Sequence, residues 1–209
     1  MEVVLVLDSE TTGISKTDQV IELAYIDLGA FTFDQLQSDR KDFEDFKHAL
    51  RTYISCFRFK PTVPINPHAF EVHRIGLSEL KDCPSSTSID MPEVHYMVGH
   101  VISFDQRMLE QSNARNVDTL KDVKYICTKE LAKAIEKALG LKYDNHKLDT
   151  LVKHYYPTEY ETLVSETHDA RGDVVKTIIV LLAMLEHLPA IGSWEELYNF
   201  QQSLKKVKK

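Results

Sequence analysis

The chain has 209 residues, 43% of them apolar, three cysteines and a formal net charge of −7. That is enough apolar material for one well-buried core and short for two domains of usual size, so one domain is expected. The negative charge argues against a protein that grips long duplex DNA through a broad basic surface. Cys56, Cys83 and Cys127 make neither a C-x-x-C pair nor an even disulfide framework, and no stretch approaches the roughly 18 apolar residues of a membrane span.

Met1-Glu2-Val3-Val4 lacks the positive region of a signal peptide, so a cytoplasmic protein with no membrane partner is expected. Residues 3–7, Val-Val-Leu-Val-Leu, predict a central strand buried on both faces, bounded by a polar turn at residues 15–18. Residues 20–28 predict a second strand. Residues 31–50 are polar and charged, with Phe43, Phe46 and Leu50 at helical spacing, and predict a solvated surface helix inserted before a strand at residues 53–57. Three prolines punctuate residues 61–67, and residues 77–80 predict a short helix.

Residues 96–100 predict a strand and residues 105–111 a helix. After another strand at residues 125–127, helices are predicted over 129–139, 147–155 and 169–187. This succession implies a mixed sheet covered by helices, an α/β fold. Ser193 and Glu196 stand at capping-box spacing, which predicts a last helix to about residue 204, followed by the basic tail 205–209. The division expected is a main domain over residues 1–190 and a C-terminal helix and tail over 191–209.

Side chains at i and i+2 of a strand share a face, so Asp8 and Glu10 present two carboxylates side by side at the end of the first strand. Hard oxygen donors with no neighbouring Cys or His select Mg²⁺ or Mn²⁺. Thr11, Thr12 and Gly13 follow, offering hydroxyls, amides and a tight turn to a ligand. Asp105 shares a helical face with Met108 and Leu109, so its carboxylate points to the apolar side and needs a partner. His168 and Asp173 are five apart, about 140° around a helix, so His168 belongs to the loop ahead of it, with Asp169 as N-cap and Asp173 in the first turn. Val174, Ile178, Leu181, Leu182 and Leu185 form the apolar stripe of that helix. His146, His154 and His187 are read as structural or surface residues, and no P-loop or G-x-S-x-G elbow is present.

These residues, in this order, resemble the DEDDh family of 3′→5′ exonucleases, which have the ribonuclease H-like fold. The resemblance extends through Val20-Ile21-Glu22-Leu23-Ala24, Pro64-Ile65-Asn66-Pro67-His68-Ala69-Phe70-Glu71-Val72-His73-Arg74-Ile75, Ile126-Cys127-Thr128-Lys129-Glu130-Leu131-Ala132 and Lys147-Leu148-Asp149-Thr150-Leu151, and it favours the exodeoxyribonuclease X-like branch. The chain departs from the family at Val101, where His100 is usually followed by Asn, and in the 31–50 insertion.

The resemblance implies two divalent metal ions, Mg²⁺ or Mn²⁺. Asp8, Glu10 and Asp173 would hold the first, Asp8 would bridge to the second, Asp105 would support the second through water, and His168 would be the general base. It implies substrate contacts from Thr11, Thr12, Gly13, His73 and Phe104. The expected reaction is hydrolysis of single-stranded or frayed DNA 3′ ends to nucleoside 5′-monophosphates, in repair or proofreading. Trimming of RNA ends or short oligoribonucleotides is the alternative, a catalytically silent nucleic-acid-binding module a weaker one, and monomer and homodimer are both open.

Overall fold

The apolar run at the start of the chain becomes strand β1 (Val4–Thr11), and β2 (Val20–Asp27) folds back against it antiparallel. β1 continues beyond its apolar part because Asp8, Ser9 and Glu10 stay in register with Ala24, Leu23 and Glu22 before the pairing shifts at Thr11. β3 (Ser55–Arg58) pairs antiparallel with β2. β4 (Tyr96–Gly99) and β5 (Lys124–Cys127) add in parallel on the other side of β1. The order is β3-β2-β1-β4-β5, the mixed sheet anticipated from the sequence, with β1 at its centre. The structure is a computed structural model and describes residues 2–39, 43–114, 120, 122–165 and 169–205.

Helices cover both faces of the sheet. On one face Val4 and Val6 of β1 join a core with α9 (Ala170–Glu186), α6 (Thr128–Leu139) and α7 (Leu148–Tyr155). On the other, Leu5 and Leu7 pack with Met108 and Leu109 of α5 (Ser103–Gln111). The alternation of a strand thus sends even-numbered residues of β1 toward α9 and odd-numbered ones toward α5. All five residues of the expected α9 stripe are buried, and so are Val175, Ile179, Val180 and Met184 between them. At about 1.5–3 kcal/mol per fully buried apolar side chain, this helix anchors the fold from within.

The 31–50 insertion is not a solvated surface helix. It forms α1 (Phe33–Asp39) and α2 (Phe43–Tyr53), whose Phe33, Leu36, Phe46 and Leu50 are buried in the main core. Phe33 meets Trp194 edge-on at 4.7 Å and Phe43 lies 5.1 Å from Tyr156. Asp34, Glu44 and Asp45 are exposed while Lys47 is buried, so charge along this segment does not mark its solvent side.

A helix also lies where the prolines were read as punctuation: α3 (Pro67–His73) is capped by Asn66 Oδ1, which accepts from His68 N, and carries Pro67 in its first turn. Asn at the N-cap and Pro just inside are helix-starting signals. The short α4 (Leu77–Leu80) follows as expected, and α8 (Tyr160–Ser165) is a further helix that the sequence pattern does not announce. The C-terminal α10 (Trp194–Lys205) packs against β5 and α6. The tail residues 206–209 lie outside the described residues. Among the described residues no helix is long and apolar enough to cross a membrane.

Candidate active site

Because Asp8 and Glu10 lie on the α9 face of β1, they look toward Asp173 in the first turn of α9. Ser9 points the other way, where its hydroxyl donates to Asp105 Oδ1 at 2.6 Å. Asp105 sits in the first turn of α5, 3% exposed. The four carboxylates therefore come from three elements and border one cleft of about 350 Å³, whose other walls are Ser9, Val72, His100, Val101 and Phe104. Gly99 lets β4 run close beside β1 at this point: a Cβ there would stand 3.1 Å from the Leu7 carbonyl oxygen and 2.8 Å from Ile102 Cδ1.

Crowding like charges at a sheet edge shifts their protonation. Burial, then repulsion from Asp105, Asp173 and Glu10, pushes Asp8 well above the carboxylate range, with Lys176 opposing. Burial and repulsion led by Asp173 push Glu10 up to about 8. Asp105 rises to about 7 through burial, although the Ser9 hydroxyl and backbone amides favour its charge. A cation in the cleft would relieve this repulsion, and an all-oxygen donor set suits a hard divalent ion. Among the described residues no three acidic, His or Cys side chains are gathered into a metal cage. Two of the carboxylates are turned to other partners, Asp105 to Ser9 and Asp173 to Lys176, whose ammonium is 2.5 Å away.

A second, more apolar pocket of about 420 Å³ opens from the same place, sharing Ser9, Glu10, Val72 and Phe104 with the cleft. Thr11, Gly13, Ile14, Asn66, His68, Ala69 and His73 complete it. Ile14 is 79% exposed at its rim. Thr12 is buried beneath, donating to Asp18 Oδ1 at 2.8 Å and accepting from Gln19 N at 2.9 Å. Thr11 Oγ1 donates to the Gly13 carbonyl at 2.8 Å. The turn is tight at Gly13, where a Cβ would lie 2.6 Å from Asp18 Oδ2. His73 is buried, its Nδ1 accepting from Ile75 N, and burial lowers its pKa. Phe104 forms the ridge between pocket and cleft, with the Arg107 guanidinium 5.3 Å from its ring centre.

His168 lies outside the described residues. The chain that leads from it is fixed: Asp169 Oδ1 caps α9 by accepting from Gly172 N at 2.5 Å, as the spacing predicted. Ala170 N donates to Glu22 Oε1 at 3.2 Å, and Arg51 of the inserted α2 stands 3.8 Å from Asp169 Oδ2. Glu22 is itself held by Arg58 Nε at 2.7 Å. Sequence reasoning did not single out Ser9, Ile14, Asn66, Val72 or Lys176. The Asn66-Pro67 start of α3 was the available signal for the pocket wall.

The family model described as Exonuclease (RNase_T) matches residues 5–181. The chain belongs to this exonuclease family. It is an enzyme of the DEDDh type with the ribonuclease H-like fold. Among solved structures, it is similar to exonuclease X in complex with 5′ overhanging duplex DNA, with a TM-score of 0.58 and 20% identity over 95% of this chain and 99% of that one. It is also similar to E. coli exonuclease I in complex with a dA16 oligonucleotide, with a TM-score of 0.65 and 16% identity over 96% of this chain and 43% of that one. The zinc-bound form of the E. coli exonuclease I complex with single-stranded DNA gives 0.64 and 16%, over 90% and 41%. This chain therefore spans less than half the length of exonuclease I, and the likeness to these structures is one of fold. No curated protein matches it in sequence.

Two features of this exonuclease carry predictions of their own. Val101, where the family usually has Asn, holds φ at 67°, in the left-handed region that a β-branched residue occupies only under strain and that Asn tolerates. Val101→Asn should therefore stabilise the protein by about 1 kcal/mol in urea unfolding, and a destabilised variant contradicts the strain.

His100 is pinned by Thr128 Oγ1 at 2.9 Å, and burial pushes its pKa down to about 4, against a contact to the His146 backbone. The unfolded chain takes up this proton near pH 6.5, whereas the folded one waits until about pH 4, so stability from His100 falls as pH drops through that window by about 3 kcal/mol at most. His100→Gln should gain on the wild type by that order between pH 7 and pH 4. A constant stability difference would show that the imidazole is not held neutral.

Proposed function

We propose that this exonuclease degrades single-stranded or frayed DNA from the 3′ end to nucleoside 5′-monophosphates, in repair or proofreading, and that it depends on two divalent metal ions, Mg²⁺ or Mn²⁺. The observation that carries the reading is the juxtaposition of four carboxylates with an apolar pocket wide enough for a base, at one end of β1. The likeness to exonuclease X and exonuclease I, both seen with DNA, supports the substrate class. We assign residues 1–190 as the exonuclease domain and 191–209 as its C-terminal helix and tail, in a cytoplasmic protein.

Asp8, Glu10 and Asp173 would hold one ion, Asp8 would be shared with the second, and Asp105 would support the second. Bound there, such ions supply an activated water and charge stabilisation for the departing 3′-oxygen. The residues of the chain do the rest. Ile14, Val72 and Phe104 offer faces on which a terminal base can stack, a contact that tolerates any sequence. Thr11 and Gly13 line the pocket floor, Thr12 shapes the turn from below, and His73 braces α3 against it. His168, one residue ahead of the pinned Asp169, takes the proton from the attacking water and needs to be neutral to do so.

Strands of DNA and RNA with the same sequence, labelled at the 5′ end, test polarity and sugar preference together. A ladder shortening from the 3′ end, faster on DNA, is expected. Faster degradation of RNA would move the assignment to an exoribonuclease, and no shortening of either would overturn the catalytic reading.

A further inference from the structure

Lys176 is a charged residue in the wrong company. It lies one turn beyond Asp173 on α9, its side chain is 3% exposed, and its neighbours Val174, Val175, Thr177 and Ile178 are all buried. Its ammonium lies 2.5 Å from Asp173 Oδ1 and 3.1 Å from Asp149 Oδ1 on α7. Nothing in the DEDDh chemistry calls for a lysine here. A buried ammonium is tolerated when it is paired, and losing one partner is costly unless another remains. Lys176 has two, on different helices, and one of them is a carboxylate of the catalytic cleft.

We propose that Lys176 is the resident counter-cation of the cleft: it holds Asp173 until a divalent ion takes that carboxylate, and Asp149 then retains the ammonium. This rests on the reading that Asp173 is a metal ligand. The geometry accounts for two observations at once. Asp173 is turned along its own helix to Lys176, and no described trio of acidic side chains converges as a finished metal cage. A single positive charge already sits beside the carboxylates that repel one another, where its field reaches Asp8. Lys176 acts through Asp173 and does not touch the reacting phosphate, so it sets how readily the ion enters and not the chemistry that follows.

The test is Mn²⁺ binding without nucleic acid, by titration calorimetry, to the full chain and to Lys176→Met and Asp149→Asn, with thermal midpoints in EDTA and in Mn²⁺. Removing the competing charge should tighten Mn²⁺ binding by about tenfold, while lowering the midpoint in EDTA and enlarging the upward shift that Mn²⁺ produces. Asp149→Asn leaves the ammonium with Asp173 as its carboxylate partner and should weaken Mn²⁺ binding by a similar factor. Opposite changes in the two variants support the proposal, because a purely structural ion pair would move both the same way or neither. Should Lys176→Met fail to fold, Asp149→Asn decides: unchanged affinity overturns the proposal. Equal Mn²⁺ affinity in all three proteins overturns the role of Lys176 alone, whereas no Mn²⁺ binding by the wild type overturns the metal reading with it.

Discussion

Asp8→Asn should lower the rate of DNA hydrolysis by on the order of 10³-fold or more, while raising the melting temperature of the metal-free protein. The first effect follows from position: Asp8 is the carboxylate facing Asp173 and Glu10 on one side of β1, and the proposal has it shared by both ions, which supply several kcal/mol of transition-state stabilisation. The second follows from electrostatics. Asp8 is pushed up by burial and by three carboxylate neighbours, and the amide has nearly the same shape without the charge. A residue that only supported the fold would lose stability and activity together. Turnover and thermal unfolding in EDTA, measured on the same preparations, separate the two: a less stable variant with normal turnover would remove Asp8 from the site.

His168→Ala should lower single-turnover hydrolysis at saturating DNA by about 10²–10⁴-fold, the scale of a general base, with Mn²⁺ affinity unchanged. Asp169, the next residue in the chain, is bonded to Gly172 N and faces Arg51, and Ala170 N is bonded to Glu22, at the start of the helix that carries Asp173. The inserted α2 supplies Arg51, which ties the insertion to the N-cap of α9. Parallel loss of Mn²⁺ binding would make His168 a ligand, and a rate within about threefold of wild type would remove it from the mechanism.

The parts of this site that were readable in the sequence are those governed by short periods. The two-residue alternation of a strand placed Asp8 and Glu10 on one face, and the N-cap preference of Asp fixed where α9 begins and put Asp173 in its first turn. The same alternation put Ser9 on the opposite face, but its bond to Asp105 spans 96 residues of sequence and no local pattern encodes it. The pocket wall on α3 is hidden in the sequence because three closely spaced prolines resemble a break, although Pro67 occupies the one helical turn that does not need its N–H.

The insertion reads as solvated because its buried residues, Phe33, Leu36, Phe46 and Leu50, are outnumbered by polar and charged neighbours; what they cover is decided by α9 and Trp194, far away in the chain. Lys176 interrupts an apolar stretch, and no local pattern shows that Asp149, 27 residues earlier, stands beside it.

The most direct test of the account follows a 5′-labelled single strand of DNA across a titration of Mn²⁺ from an EDTA-treated protein, with Mn²⁺ binding measured in parallel and Asp8→Asn as the control. A metal-dependent 3′→5′ exonuclease with its ions at Asp8 shows no shortening in EDTA, a ladder from the 3′ end that appears as the cleft fills, and loss of both binding and cleavage in the variant. Shortening that persists in EDTA, or an Asp8→Asn protein that cleaves at the wild-type rate, would contradict it.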